Sequence, residues 1–118
     1  MRQKNIKTRC EKRSLPKFKE ICKTYDAIQF AYADILVSDK NILEIESNVL
    51  MEGLEEGDYT SDFVCKKKNG ELMVRECVFR KYLSKPMTVK LLDASRRFWL
   101  NRGITDWGIV IDKEKDNG

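Results

Sequence analysis

Hydrophobic and polar residues recur along this chain in two periods, and each change of period marks an element. From Thr24 the apolar positions Tyr25, Ile28, Tyr32, Ile35 and Leu36 repeat at helical spacing, which predicts a helix capped by Thr24 and ending near Ser38-Asp39. Between Asn41 and Met51 the period drops to two: Ile42, Glu44 and Glu46 alternate with Leu43 and Ile45, a strand with one wet face at its start. A second strand is expected from Tyr59 to about Lys67, a turn at Lys68-Asn69-Gly70, and a third strand from Glu71 to Arg80. The helical period returns from about Lys85 to Arg102, with Ser84 as candidate cap, Pro86 in the first turn and Gly103 at the stop. Its apolar stripe is Leu91, Leu92, Phe98 and Trp99, with Ser95 between. A short buried strand, Asp106 to Asp112, closes the domain, and the final KEKDNG is expected to fray. The order α-β-β-β-α-β predicts an α/β fold, a mixed sheet flanked by helices.

The length of 118 residues allows one domain with a modest core, here 14–118. Residues 1–13 read as a flexible basic arm, with Ser14-Leu15-Pro16 as the entry to the folded part. The chain contains no apolar run of the roughly 18 residues that a membrane span needs. The start, MRQKNIKTRCEKR, lacks the apolar block of a secretory leader, so a cytoplasmic location without membrane attachment is expected. Cys10, Cys22, Cys65 and Cys77 form no C-x-x-C pair and histidine is missing, which argues against structural zinc and excludes an imidazole base. The thiols are expected to be reduced, with Cys65 and Cys77 acting as small buried hydrophobes. Trp99 and Trp107 sit on apolar-patterned elements and read as core, and no phosphate-binding glycine loop is present.

Charge is strongly segregated. Residues 1–24 carry a net +7, residues 25–62 a net −9, residues 63–92 a net +6, and residues 93–118 balance. Two basic blocks suggest a phosphate-backbone partner, DNA, gripped by Lys66, Lys67 and Lys68 at the turn, by Arg80 and Lys81, and by Arg96 and Arg97. The plainer alternative is a solvated face, or a basic tail that pairs with the chain's own acids. The acidic middle segment could equally face a basic partner protein. Oligomeric state is not encoded in any of these features.

The candidate chemistry lies in GDYTSDFVCKKKNGELMVRECVFR, residues 57–80, where Asp62 enters one strand and Glu76 lies inside the next. Two carboxylates on adjacent buried strands are costly unless paired or holding a cation such as Mg²⁺. Register decides whether they meet. A two-residue Asn69-Gly70 turn would set Asp62 opposite Cys77. A three-residue Lys68-Asn69-Gly70 loop with Gly70 left-handed would set it opposite Glu76. A bulge beside either acid could realign the first case, and both turns are compatible with the sequence. The bland reading pairs Glu76 with Arg75, Arg80 or Lys81 and leaves Asp62 as a turn cap.

The element order, with Asp on the second strand and Glu on the third, resembles the PD-(D/E)xK nuclease superfamily of restriction-endonuclease-like folds. Tyr59-Thr60-Ser61-Asp62-Phe63 followed by a hairpin and VREC is most similar to TnsA-type endonuclease subunits of heteromeric transposases, over about residues 24–112. That resemblance implies Mg²⁺-dependent hydrolysis of DNA phosphodiesters, with Asp62 and Glu76 as metal ligands and association with a mobile element. It also places Gln29 where the family has a helix glutamate, with Asp26 one turn earlier as a stand-in, and Asn48-Val49 where the family has Gln-Pro. Val78 stands where a lysine completes the motif. The resemblance therefore implies a nuclease-like DNA-binding protein with a degenerate site. The alternative is a non-enzymatic interaction module or inhibitor acting on a transposase or a host-defence protein complex.

Overall fold

The computed structural model describes residues 1–4 and 6–113; the stretch 114–118, most of the segment expected to fray, lies outside the described residues. The elements in chain order are β1 Arg2–Gln3, β2 Glu11–Arg13, β3 Cys22–Thr24, α1 Ala27–Ser38, β4 Ile42–Leu50, β5 Tyr59–Lys67, β6 Leu72–Val78, a 3₁₀ turn Arg80–Tyr82, α2 Pro86–Leu100 and β7 Asp106–Ile111. From α1 to β7 the order is the α-β-β-β-α-β expected from the pattern. β4, β5 and β6 form an antiparallel meander, and β7 returns beside β6 in parallel after α2, so the sheet is mixed. The fold is α/β. No helix among the described residues is long and apolar enough to cross a membrane.

Each sheet face is covered by one helix. On one side Ile28, Ala33 and Leu36 of α1 pack with Ile45, Phe63, Cys65, Met73 and Cys77. On the other side Trp99 of α2 packs with Met51, Val74 and Ile104, with Val64 and Trp107 at its margin. Both tryptophans thus serve the core, and all four cysteines are free thiols, with Cys22, Cys65 and Cys77 buried.

Two helix starts differ from expectation. α1 is capped by Asp26, whose Oδ1 accepts from the Gln29 amide at 2.9 Å, not by Thr24. Thr24 belongs to β3, and Asp is as good a cap as Thr. α2 has Lys85 at its cap position without a side-chain bond, Ser84 lying one residue too early, and Pro86 presets the first turn.

The N-terminal residues are also placed differently. Instead of a free arm, β2 pairs with β3, and β1 adds to β5 through Arg2–Thr60 and Gln3–Tyr59. The reason lies in β5. Its ladder with β6 covers only Phe63 to Lys66, so the backbone of Tyr59 and Thr60 on that edge is left without strand partners. Unpaired N–H and C=O groups there are costly, and the chain start fills them.

Candidate functional site

The hairpin register is that of the three-residue loop. The Lys67 amide donates to Glu71 O at 2.9 Å, and Gly70 is left-handed at φ +86°. Phe63 pairs with Arg75 and Val64 with Val74, so Asp62 comes opposite Glu76.

At that point the regular ladder stops. Ser61 lies on the α2 side, its hydroxyl accepting from Trp99 Nε1 at 2.8 Å, whereas Phe63 lies in the α1-side core. Residues two apart on a regular strand share a face, so β5 turns over at Asp62. β4 turns with it: Asn48, across from Asp62, has φ +55°, with Ser47 paired to Phe63 and Val49 to Ser61. β5 and β6 separate here, and the two acids replace the missing ladder bonds. The Asp62 amide donates to Glu76 Oε1 at 2.8 Å, and the Cys77 amide donates to Asp62 Oδ2 at 2.7 Å.

Both carboxylates are sealed from solvent, Asp62 at 1% exposure and Glu76 at 0%. Each is steadied by one helix. Gln29 Nε2 on α1 donates to Asp62 Oδ1 at 2.8 Å, while its Oε1 accepts from the Tyr25 amide at 2.7 Å. Ser95 Oγ on α2 donates to Glu76 Oε2 at 2.5 Å and accepts from Trp107 Nε1 at 3.0 Å. Asp26, the other candidate on α1, is partly buried, and its carboxyl is pushed up by burial and by the Asp62 charge.

The counter-ion is the chain's own first residue. The Met1 α-ammonium donates to Asp62 Oδ2 at 2.9 Å and lies 3.6 Å from Glu76 Oε1. Burial opposes that charge, but attraction to Asp62 and Glu76 outweighs it and raises the amine from 8.0 to about 10. Burial pushes the Glu76 carboxyl up while the ammonium pulls it back, and the net direction is up. The bland pairing of Glu76 with Arg75, Arg80 or Lys81 is not what the structure has.

The donor set can be tested against Mg²⁺. No group of three or more His, Cys, Asp or Glu is assembled for a metal among the described residues. Mg²⁺ is content with one or two carboxylates and several waters, so Asp62 and Glu76 suit it, but the space between them is filled by the ammonium. In the position after Cys77, Val78 is buried and pairs with Ile111 on β7. Arg75 points away, bonding Asp106 Oδ1 at 2.7 Å. Arg80 is tied to Asp112, and Lys81 lies over the Phe79 and Tyr82 rings.

The proposed phosphate contacts do not form one surface around the acids. Lys66 and Lys68 are exposed, but Lys67 bonds Asp106 at 2.8 Å and approaches Glu71 at 3.5 Å. The hairpin tip at Lys68 is six strand residues from Asp62, about 20 Å at about 3.3 Å per residue. Arg80 and Lys81 follow β6 and lie at the acids' end of the sheet. Arg96 is exposed, and Arg97 pairs with Asp93 at 3.1 Å. Part of the N-terminal basic block pairs with the acidic segment, through Arg13–Asp34 at 2.9 Å and Lys19 with Glu44 and Glu46. That much of the plain alternative for the charge pattern is present.

Sequence reasoning missed Met1 and Ser95. A serine inside an apolar helical stripe was a signal for Ser95, since a buried hydroxyl needs a partner. Met1 gave none. Compared with known proteins, the chain matches no family model and has no significant match among curated proteins.

Proposed function

We propose that this chain is a nuclease-like DNA-binding protein of a mobile element, whose Asp62–Glu76 pair is a divalent-cation site that cleaves DNA weakly or not at all. The observation that carries this is the convergence of two buried carboxylates from neighbouring strands on one cation position. Asp62 and Glu76 would hold Mg²⁺, which would supply charge neutralisation at a phosphate. Gln29 and Ser95 hold the two carboxylates in place, as outer residues do around metal ligands. The mobile-element association rests on the resemblance of Tyr59-Thr60-Ser61-Asp62-Phe63 and the element order alone.

Weak cleavage follows from what surrounds the pair. Val78 offers no charge to a developing phosphate transition state, and loss of one such group costs on the order of 10²–10³ in rate. The test is nicking of supercoiled DNA with Mg²⁺ or Mn²⁺. Little cleavage is expected from the wild type, and more from Val78→Lys combined with Gln29→Glu. Brisk wild-type cleavage abolished by Asp62→Ala would overturn the degenerate site. DNA affinity should fall with salt, with a slope of about −0.9 per phosphate contact.

A non-enzymatic module that binds a transposase or host-defence protein is the second reading. It is favoured by the exposed acids Glu52, Glu55 and Asp58, which offer a face to a basic protein. Lack of DNA binding at low salt would select it.

A further inference from the structure

The position between Asp62 and Glu76 is filled from within the chain, and the filling is built rather than incidental. β1 hydrogen-bonds to β5, the Lys4 amide donates to Asp58 O at 2.8 Å, and the Thr60 hydroxyl donates to Arg2 O at 3.3 Å. The Arg2 guanidinium lies 3.5 Å above the Tyr25 ring, so it clasps the residue just before the Asp26 cap of α1. The Met1 side chain packs at the margin of the α2-side core and lines a cleft of about 260 Å³ with Asp26, Cys77, Val78 and Leu92. These contacts aim the terminal nitrogen at both carboxylates.

Mg²⁺ held by the same two acids would need oxygens at about 2.0–2.1 Å and room for its own waters. The ammonium and the metal therefore exclude each other. We propose that the N-terminal segment is a plug that closes the carboxylate site in cis, so that metal binding and withdrawal of the segment are one equilibrium. The plug rests on reading Asp62 and Glu76 as a cation pair. It is poised to leave: β1 is two residues long, at an edge, and its removal opens neither the β4–β5 nor the β5–β6 ladder.

The test uses the full chain with Mn²⁺ alone, bound metal being read from the loss of the free-ion paramagnetic resonance signal. A free amine at Met1 is compared with the same chain acetylated there, which removes the charge and leaves no room for the terminus between the acids. Acetylation should tighten Mn²⁺ binding at least about tenfold, and Glu76→Gln should abolish that binding in both forms. Equal affinities, still abolished by Glu76→Gln, would overturn the plug and leave the cation pair standing. No Mn²⁺ bound by either form, or binding indifferent to Glu76→Gln, would overturn the cation pair and the plug with it. A second measurement needs no altered chain: tryptic cleavage after Arg2 and Lys4 of the unmodified protein. Saturating Mn²⁺ should speed it about tenfold, and an unchanged rate would overturn the plug.

Discussion

The β5–β6 pair carries an ionic cluster towards each end, and the two are built on opposite principles. Towards the hairpin, Asp106 on β7 receives Lys67 at 2.8 Å and Arg75 at 2.7 Å while Glu71 lies 3.5 Å from Lys67, two acids with two bases at a partly open surface. At the other end two acids share one ammonium in a sealed position. The first is balanced in charge, and the Lys67 contact, aided by Arg75, lowers the Asp106 carboxyl below its ordinary range. The second is short of positive charge, and Glu76 is pushed up. A cluster that satisfies itself holds strands together. A cluster left with excess negative charge in a dry place is the feature on which the proposed cation exchange rests.

The largest break of this comparison is removal of one acid from each end. Asp62→Ala leaves the Cys77 amide and the Gln29 amide group without their acceptor and takes away the closest acid to a buried ammonium. Breaking a buried pair from one side costs about 3–5 kcal/mol, whereas Asp106→Ala at the open end should cost about 1 kcal/mol or less. Urea denaturation of both variants measures the gap. Equal losses would mean that the two clusters are the same kind of object.

The strand boundaries of this region were legible because alternation and turn chemistry agree: β5 spans Tyr59–Lys67, as the pattern predicts. The register was not, because Asn69-Gly70 and Lys68-Asn69-Gly70 are both good turns; the Lys67–Glu71 backbone bond and the left-handed Gly70 decide it. The turnover of β5 at Asp62 was hidden for a different reason. A period-two reading assumes that a strand keeps its faces, and Ser61 and Phe63 violate that together with Asn48 on β4. The reversal lets Asp62 reach α1 while Glu76 reaches α2. The N-terminal strand was invisible because two residues carry no period, and its docking depends on where β6 leaves β5.

An alkaline titration sharpens the comparison next. The Met1 amine rises from 8.0 to about 10 on folding, so its stabilisation is complete below pH 8 and is lost as pH climbs through 10. A rise of that size corresponds to on the order of 2–3 kcal/mol. Thermal melts at pH 7 and pH 10.5 should show that loss, and acetylation at Met1 should remove the difference. An acetylated chain that loses as much between the same two pH values would assign the effect to lysines or tyrosines elsewhere.

The smallest expected effect lies on the acid side, at the other cluster. Asp106 has a lowered carboxyl, so its stabilisation is present above the ordinary carboxylate value of 3.8 and disappears as pH falls through the folded-state value below it. The Asp106 side chain is 34% exposed, so solvent and salt screen the attraction and the whole contribution is about 1 kcal/mol or less. Asp106→Asn keeps the shape and one acceptor oxygen while removing the charge. Its stability should match the wild type at pH 2 and fall slightly below it at pH 6, and 1 M salt should narrow the difference. Asp62→Asn offers the contrast within the same experiment. Its deficit should hold in 1 M salt, because ions reach a surface pair but not the sealed space where Met1 meets Asp62. A deficit at Asp62 that salt erases as readily as the one at Asp106 would show that water and ions enter that space, and the contrast between the two ends would dissolve.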